Sequence, residues 1–102
     1  MMKVERRPTA PGEILREHYL APRGISIVKF AAAVGCSRKH MSDIVHGHVR
    51  LEAAIAAHIA KVLGTTTLFW VNLQGAVDAY NAEREARKWK PTTVYNVAAA
   101  AE

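Results

Sequence analysis

One cysteine, Cys36, in a chain of 102 residues cannot form an internal disulfide. That absence excludes the stapled frameworks of small secreted domains and fits a reducing cytoplasm. No apolar run approaches the ~20 residues of a membrane span, and the basic start is not followed by the apolar core of a secretion signal, so a soluble, intracellular protein is expected. Gly-rich phosphate loops, nucleophile motifs and paired acids in a pocket-like context are all missing, which argues against an enzyme. Glu13 and Glu17 stand four apart, with Arg16 between them, as a solvated helical face would have them. Acids are the scarcer charge: nine against fourteen lysines and arginines leave +5, a balance that favours anionic partners. The length is that of one domain able to bury a modest core unaided.

What is present concentrates between Ser26 and Gly47, SIVKFAAAVGCSRKHMSDIVHG. Ser26 can cap a helix whose buried face is Phe30, Ala31 and Val34, and Gly35 ends it. Ser37 caps a second helix with Met41, Ile44 and Val45 inward, closed by Gly47. Small Ala31 lets the two helices approach closely, Cys36 packs as an apolar residue in the turn, and the order resembles the helix-turn-helix of phage-repressor-like DNA-binding domains. Outward, the second helix offers Ser37, Arg38, Lys39, His40, Ser42 and Asp43. From Ser26 to Arg50, four cations (Lys29, Arg38, Lys39, Arg50) against one acid (Asp43) leave +3, with His40, His46 and His48 besides. No aromatic interrupts the second helix, which disfavours the base-stacking platforms of RNA binders.

Around this unit, Lys3 to Arg7 form a basic arm within residues 1–10. Pro11 and Glu13 then open a helix expected to run to Leu20, with Ile14, Leu15, Tyr19 and Leu20 on its buried side. His46 to Arg50 form a loop, so His46, His48 and Arg50 are candidate phosphate donors. A fourth helix is expected from Leu51 through Ile55, Ile59, Val62 and Leu63 to Gly64. A fifth, long helix should reach about Arg87, with Phe69, Leu73, Val77 and Tyr80 on one stripe and Trp70 and Val71 off it. That wide apolar surface points either to a second copy, which would set two reading heads roughly 34 Å apart, or to a core filled by Trp70. Residues 88–102 are expected to be a tail, with strand-like Thr92 to Val97 and frayed ends. His40, His46, His48 and Cys36 could be imagined around a metal, but the spacing lacks that of a structural zinc site.

Three segments, PGEILREHYLAPRGIS, AAAVGCSRKHMSDIVHG and VLGTTTLFWVNLQ, resemble the HigA/VapI family of antitoxins over roughly Pro8 to Tyr80, the PGEIL start and FW-x-NLQ being the most specific. The resemblance implies an all-α, five-helix dimer without a cofactor, whose helix-turn-helix domain spans residues 11–87. It further implies a palindromic operator upstream of its own genes and a HigB-type partner toxin, a RelE-like ribonuclease that cuts mRNA on the ribosome. The alternative is a stand-alone repressor with no toxin. The DNA-contacting set would be Ser26, Lys29, Ser37, Arg38, Lys39, His40, Ser42, His46, His48 and Arg50. The dimer set would be Phe69, Trp70, Leu73, Val77 and Tyr80. Ile27 departs from the phosphate-contacting Gln common in repressor-like domains, and Glu52 from the Ser or Thr expected to cap the fourth helix.

Overall fold

The computed structural model describes residues 6–97. Of the expected basic arm, Lys3 to Arg7, the part up to Glu5 lies outside them, as does the frayed end at Ala98–Glu102. Five helices account for the regular structure of the described residues, and no strand is present among them.

The first helix, α1, begins as an α-helical turn at Pro11–Ile14, widens into a π-helical stretch at Leu15–Leu20 and tightens into a 3₁₀ turn at Ala21–Arg23. Pro11 leads because its missing N–H is not needed there, and Glu13 sits near the positive end. The π-helical widening, where bonds run between residues five apart, brings Leu15 and Leu20 to the same buried side. The Arg23 guanidinium closes this end by donating to the carbonyls of His18 (3.2 Å) and Tyr19 (3.1 Å).

Helix α2 (Ile27–Val34) starts where Ser26 Oγ accepts from the Lys29 N–H at 3.1 Å. It stops at Gly35, whose φ of +88° turns the chain with a left-handed residue that Gly supplies without steric cost. Helix α3 (Arg38–Val45) repeats the device, the His40 N–H donating to Ser37 Oγ at 3.0 Å. Helix α4 spans Ala53–Leu63 and α5 spans Thr67–Ala86, the latter capped by Thr66 Oγ1, which accepts from the Phe69 N–H at 3.1 Å. The core joins all five helices through Leu15, Leu20, Phe30, Val34, Met41, Ile44, Val45, Leu51, Ile59 and Trp70.

Several expectations need correction. Leu51 is buried but precedes α4, which begins at Ala53 after an extended Glu52 at the N-cap (φ −78°, ψ 152°), and the Leu51 N–H donates to Gln74 of α5. Val62 is 42 % exposed and leaves the inner stripe to Ala56, Ile59 and Ala60. Glu52 makes no side-chain cap for α4, as its departure from Ser or Thr implies. Residues 92–97 form no strand and stand exposed, since no sheet edge exists among the described residues to receive them.

The largest correction concerns α5. Trp70 is 0 % exposed: its ring stacks at a tilt on Tyr19, centroids 5.4 Å apart, and its Nε1–H donates to Thr65 Oγ1 at 2.8 Å. Val77 is 6 % exposed, and Leu73 packs half-buried against the core. Of the five expected dimer residues only Phe69, at 39 %, is exposed; Leu73 and Tyr80 are half-buried, and Trp70 and Val77 are buried.

Candidate nucleic-acid interface

Two capped helices and one glycine turn fix the face that matters. The Ser26 and Ser37 caps satisfy first-turn N–H groups of α2 and α3, and Phe30, Ala31 and Val34 pack against α3 from below. With Met41, Ile44 and Val45 turned inward, the first turns of α3 present Ser37, Arg38, Lys39, His40 and Ser42 outward, of which His40 and Ser42 are half-buried. Eight residues of helix measure about 12 Å, close to the ~12 Å width of a B-DNA major groove.

The cations on this face are not equivalent. Arg38 is exposed and has no acidic partner among the described residues. Lys39 Nζ instead donates to Asp43 Oδ2 at 3.1 Å, one turn along the same helix. That hydrogen bond holds the Asp43 carboxyl below its ordinary range, and His48, whose Nδ1 lies 3.6 Å from Oδ1, works in the same direction. Arg38 is therefore the side chain freest to reach a base edge, while one of the three Lys39 donors is taken by Asp43. Lys29 stands exposed in the first turn of α2, beside the Ser26 cap.

In the loop after α3, His46 and His48 lie side by side, ring centroids 6.0 Å apart. Nδ1 of His46 is 2.8 Å from the Ser42 carbonyl, and in the tautomer protonated there it donates to that oxygen and closes the end of α3. Arg50, expected to be a phosphate donor, has its guanidinium turned onto α5 and bound to two carboxylates. Ile27, at the departure from Gln, is half-buried against the core.

No group of three His, Cys, Asp or Glu side chains among the described residues is placed to hold a metal. Cys36 is half-buried in the turn, and burial pushes its thiol pKa up. No described helix is long and apolar enough to cross a membrane.

Sequence reasoning overlooked four residues around this face. His58 of α4 reaches the Val34 carbonyl at the end of α2, with Nδ1 2.9 Å away. Gln74 and Asp78 of α5 hold the loop after α3, as described below. Gly12 allows α1 to lie directly on the backbone of α3. Gly12, inside the PGEIL segment, and Gln74, the last residue of FW-x-NLQ, carried a signal that could have been followed.

This arrangement defines a helix-turn-helix domain of the repressor-like class. No protein-family model matches the chain. It is 39 % identical over 98 residues, covering 92 % of each chain, to antitoxin HigA-1 of Vibrio cholerae. Among solved structures it is similar to antitoxin GraA in complex with its operator (31 % identity, TM-score 0.78, 93 % of this chain and 100 % of that one). It is also similar to Pseudomonas aeruginosa antitoxin HigA with the higBA promoter (30 % identity, TM-score 0.80, 89 % and 99 % covered). The chain belongs to the HigA family of helix-turn-helix antitoxins.

Proposed function

We propose that this chain represses its own operon by inserting α3 into the major groove of a palindromic operator as a homodimer, and that it binds and neutralises a HigB-type, RelE-like ribonuclease. The observation that carries the DNA half is the exposed guanidinium of Arg38, without an acidic partner among the described residues, on the first turn of α3 between Ser37 and Lys39. Arg reads guanine through a bidentate pair of donors, and the neighbouring hydroxyls and Lys39 serve phosphates. That relatives of the same fold are solved with operator or promoter DNA supports DNA as the partner.

For self-association, the apolar side chains left exposed on α5 are Leu68 at 63 % and Phe69 at 39 %, with half-buried Tyr80 eleven residues and about three turns from Phe69 on the same face. The toxin half rests on kinship with antitoxin HigA-1.

Arg38→Ala is expected to weaken binding to the operator by about 1–3 kcal/mol and to relax sequence choice. Lys29→Ala should weaken operator and random duplex alike and flatten the salt dependence. Titration of both variants against the two duplexes checks this, and equal losses on both for Arg38→Ala would remove base reading by Arg38. Co-expression with the adjacent open reading frame is expected to give a co-purifying complex and restore growth. If that frame encodes no toxin, the chain is a stand-alone repressor.

A further inference from the structure

The loop from His46 to Glu52 is tied to α5 by a continuous set of hydrogen bonds. Arg50 donates through Nε to Asp78 Oδ1 at 3.3 Å, through Nη2 to Asp78 Oδ2, and through Nη1 to Glu52 Oε2 at 3.0 Å. Gln74, buried on α5, accepts the Leu51 N–H on Oε1 at 2.8 Å and donates through Nε2 to Asp78 Oδ1 at 2.9 Å. The loop is thus held twice, by its backbone at Leu51 and by its side chain at Arg50, and both ties end on Asp78.

Two features set this apart from a phosphate clamp. One cation faces two carboxylates, so the cluster is net negative, which opposes a phosphate. The guanidinium also presents a two-pronged edge to one carboxylate, a geometry that fixes position as well as charge. His46, Gly47, His48 and Val49, the part of the loop nearest α3, are left exposed.

We propose that Arg50, Gln74 and Asp78 are positioning residues for operator binding: they fasten the loop after α3 to α5, and Arg50 itself touches no phosphate. This inference rests on the DNA-binding reading above. Fixing the loop fixes how far the exposed His46–Val49 backbone lies from a duplex gripped by α3. Sequence-specific binding, which demands one register, depends on that distance, whereas random binding does not.

The test compares the full chain with Arg50→Ala, Arg50→Lys and Asp78→Asn. Each is titrated against its own promoter fragment and a random duplex of equal length, between roughly 50 and 200 mM salt. Arg50→Ala is expected to lower promoter affinity about tenfold while leaving the salt slope on random duplex unchanged. Arg50→Lys should lose promoter affinity similarly, because an ammonium cannot make the fork. Asp78→Asn should loosen Arg50, lower promoter affinity and leave the random-duplex slope equal or steeper, by up to ~0.9 for one added phosphate contact. A salt slope shallower by ~0.9 on both duplexes for Arg50→Ala, or wild-type behaviour of Arg50→Lys, makes Arg50 a phosphate donor and overturns the proposal. Should Arg50→Ala be unfolded by circular dichroism, the other two variants decide. Wild-type protein that binds both duplexes equally would refute the DNA-binding reading itself, a result separate from any of these.

Discussion

Trp70→Ala is expected to lower the unfolding free energy by about 3–5 kcal/mol, the usual cost of truncating a fully buried aromatic side chain. The ring has no exposed surface, stacks on Tyr19, meets Phe69 edge-on at 4.9 Å and donates to Thr65. A domain of this size holds about 5–15 kcal/mol in all, so the loss takes a large share, and at roughly 4–8 °C per kcal/mol the melting temperature should fall by more than 10 °C. Trp70→Phe keeps an aromatic in the site and gives up the hydrogen bond and part of the volume. Its expected cost is smaller, about 1–2 kcal/mol. Thermal melts at several protein concentrations separate this account from the other one offered by the sequence. If Trp70 lay between two copies, Trp70→Ala would lower the concentration dependence of melting and spare the fold; a near-normal monomer melt would place the ring at an interface.

Gly12→Ala is the second large effect, and two opposing terms decide its sign. Helix propensity favours Ala by at most about 1 kcal/mol. Against that, a Cβ at Gly12 would lie 1.8 Å from the Ile44 carbonyl oxygen and 2.9 Å from the Val45 Cα, both backbone atoms that no rotamer change can move. The start of α1 would have to part from α3 by about 1 Å, pulling the packed side chains between them out of register. Overpacking of this kind costs about 1–3 kcal/mol or more, so a net loss near 2 kcal/mol is expected. Gly75→Ala supplies the control: nothing lies within 4 Å of its added Cβ, and mid-helix in α5 it should gain up to about 1 kcal/mol. Urea unfolding of the two variants tests the contrast. A Gly12→Ala protein as stable as wild type would mean that α1 and α3 are not in backbone contact.

The helix-turn-helix was legible because its signals are local. Ser26 and Ser37 each cap within three residues, Gly35 turns the chain between them, and the apolar residues recur at helical spacing, so periodicity and capping sufficed. The partners that position its loop were not legible, because they are distant in sequence: Arg50 meets Asp78 twenty-eight residues on, and Leu51 meets Gln74 twenty-three on. Spacing could not say which of Arg50's anionic partners, an acid of the chain or a phosphate, would win. The two places open to Trp70, an interface or the core, could not be told apart for a related reason. Off the stripe of Phe69, Leu73, Val77 and Tyr80 it reads as surplus apolar area, but its ring packs on Tyr19 of α1, fifty-one residues away in sequence. The strand-like composition of 92–97 makes no strand because β-branched residues form one only against a neighbour.

Titrating the purified chain against its own promoter fragment and a scrambled duplex of the same composition, at physiological salt, tests the central claim most directly. The expected result is a preference of about 10³ or more for the promoter, protected at two half-sites one helical turn apart. Equal affinity for the two duplexes would contradict it.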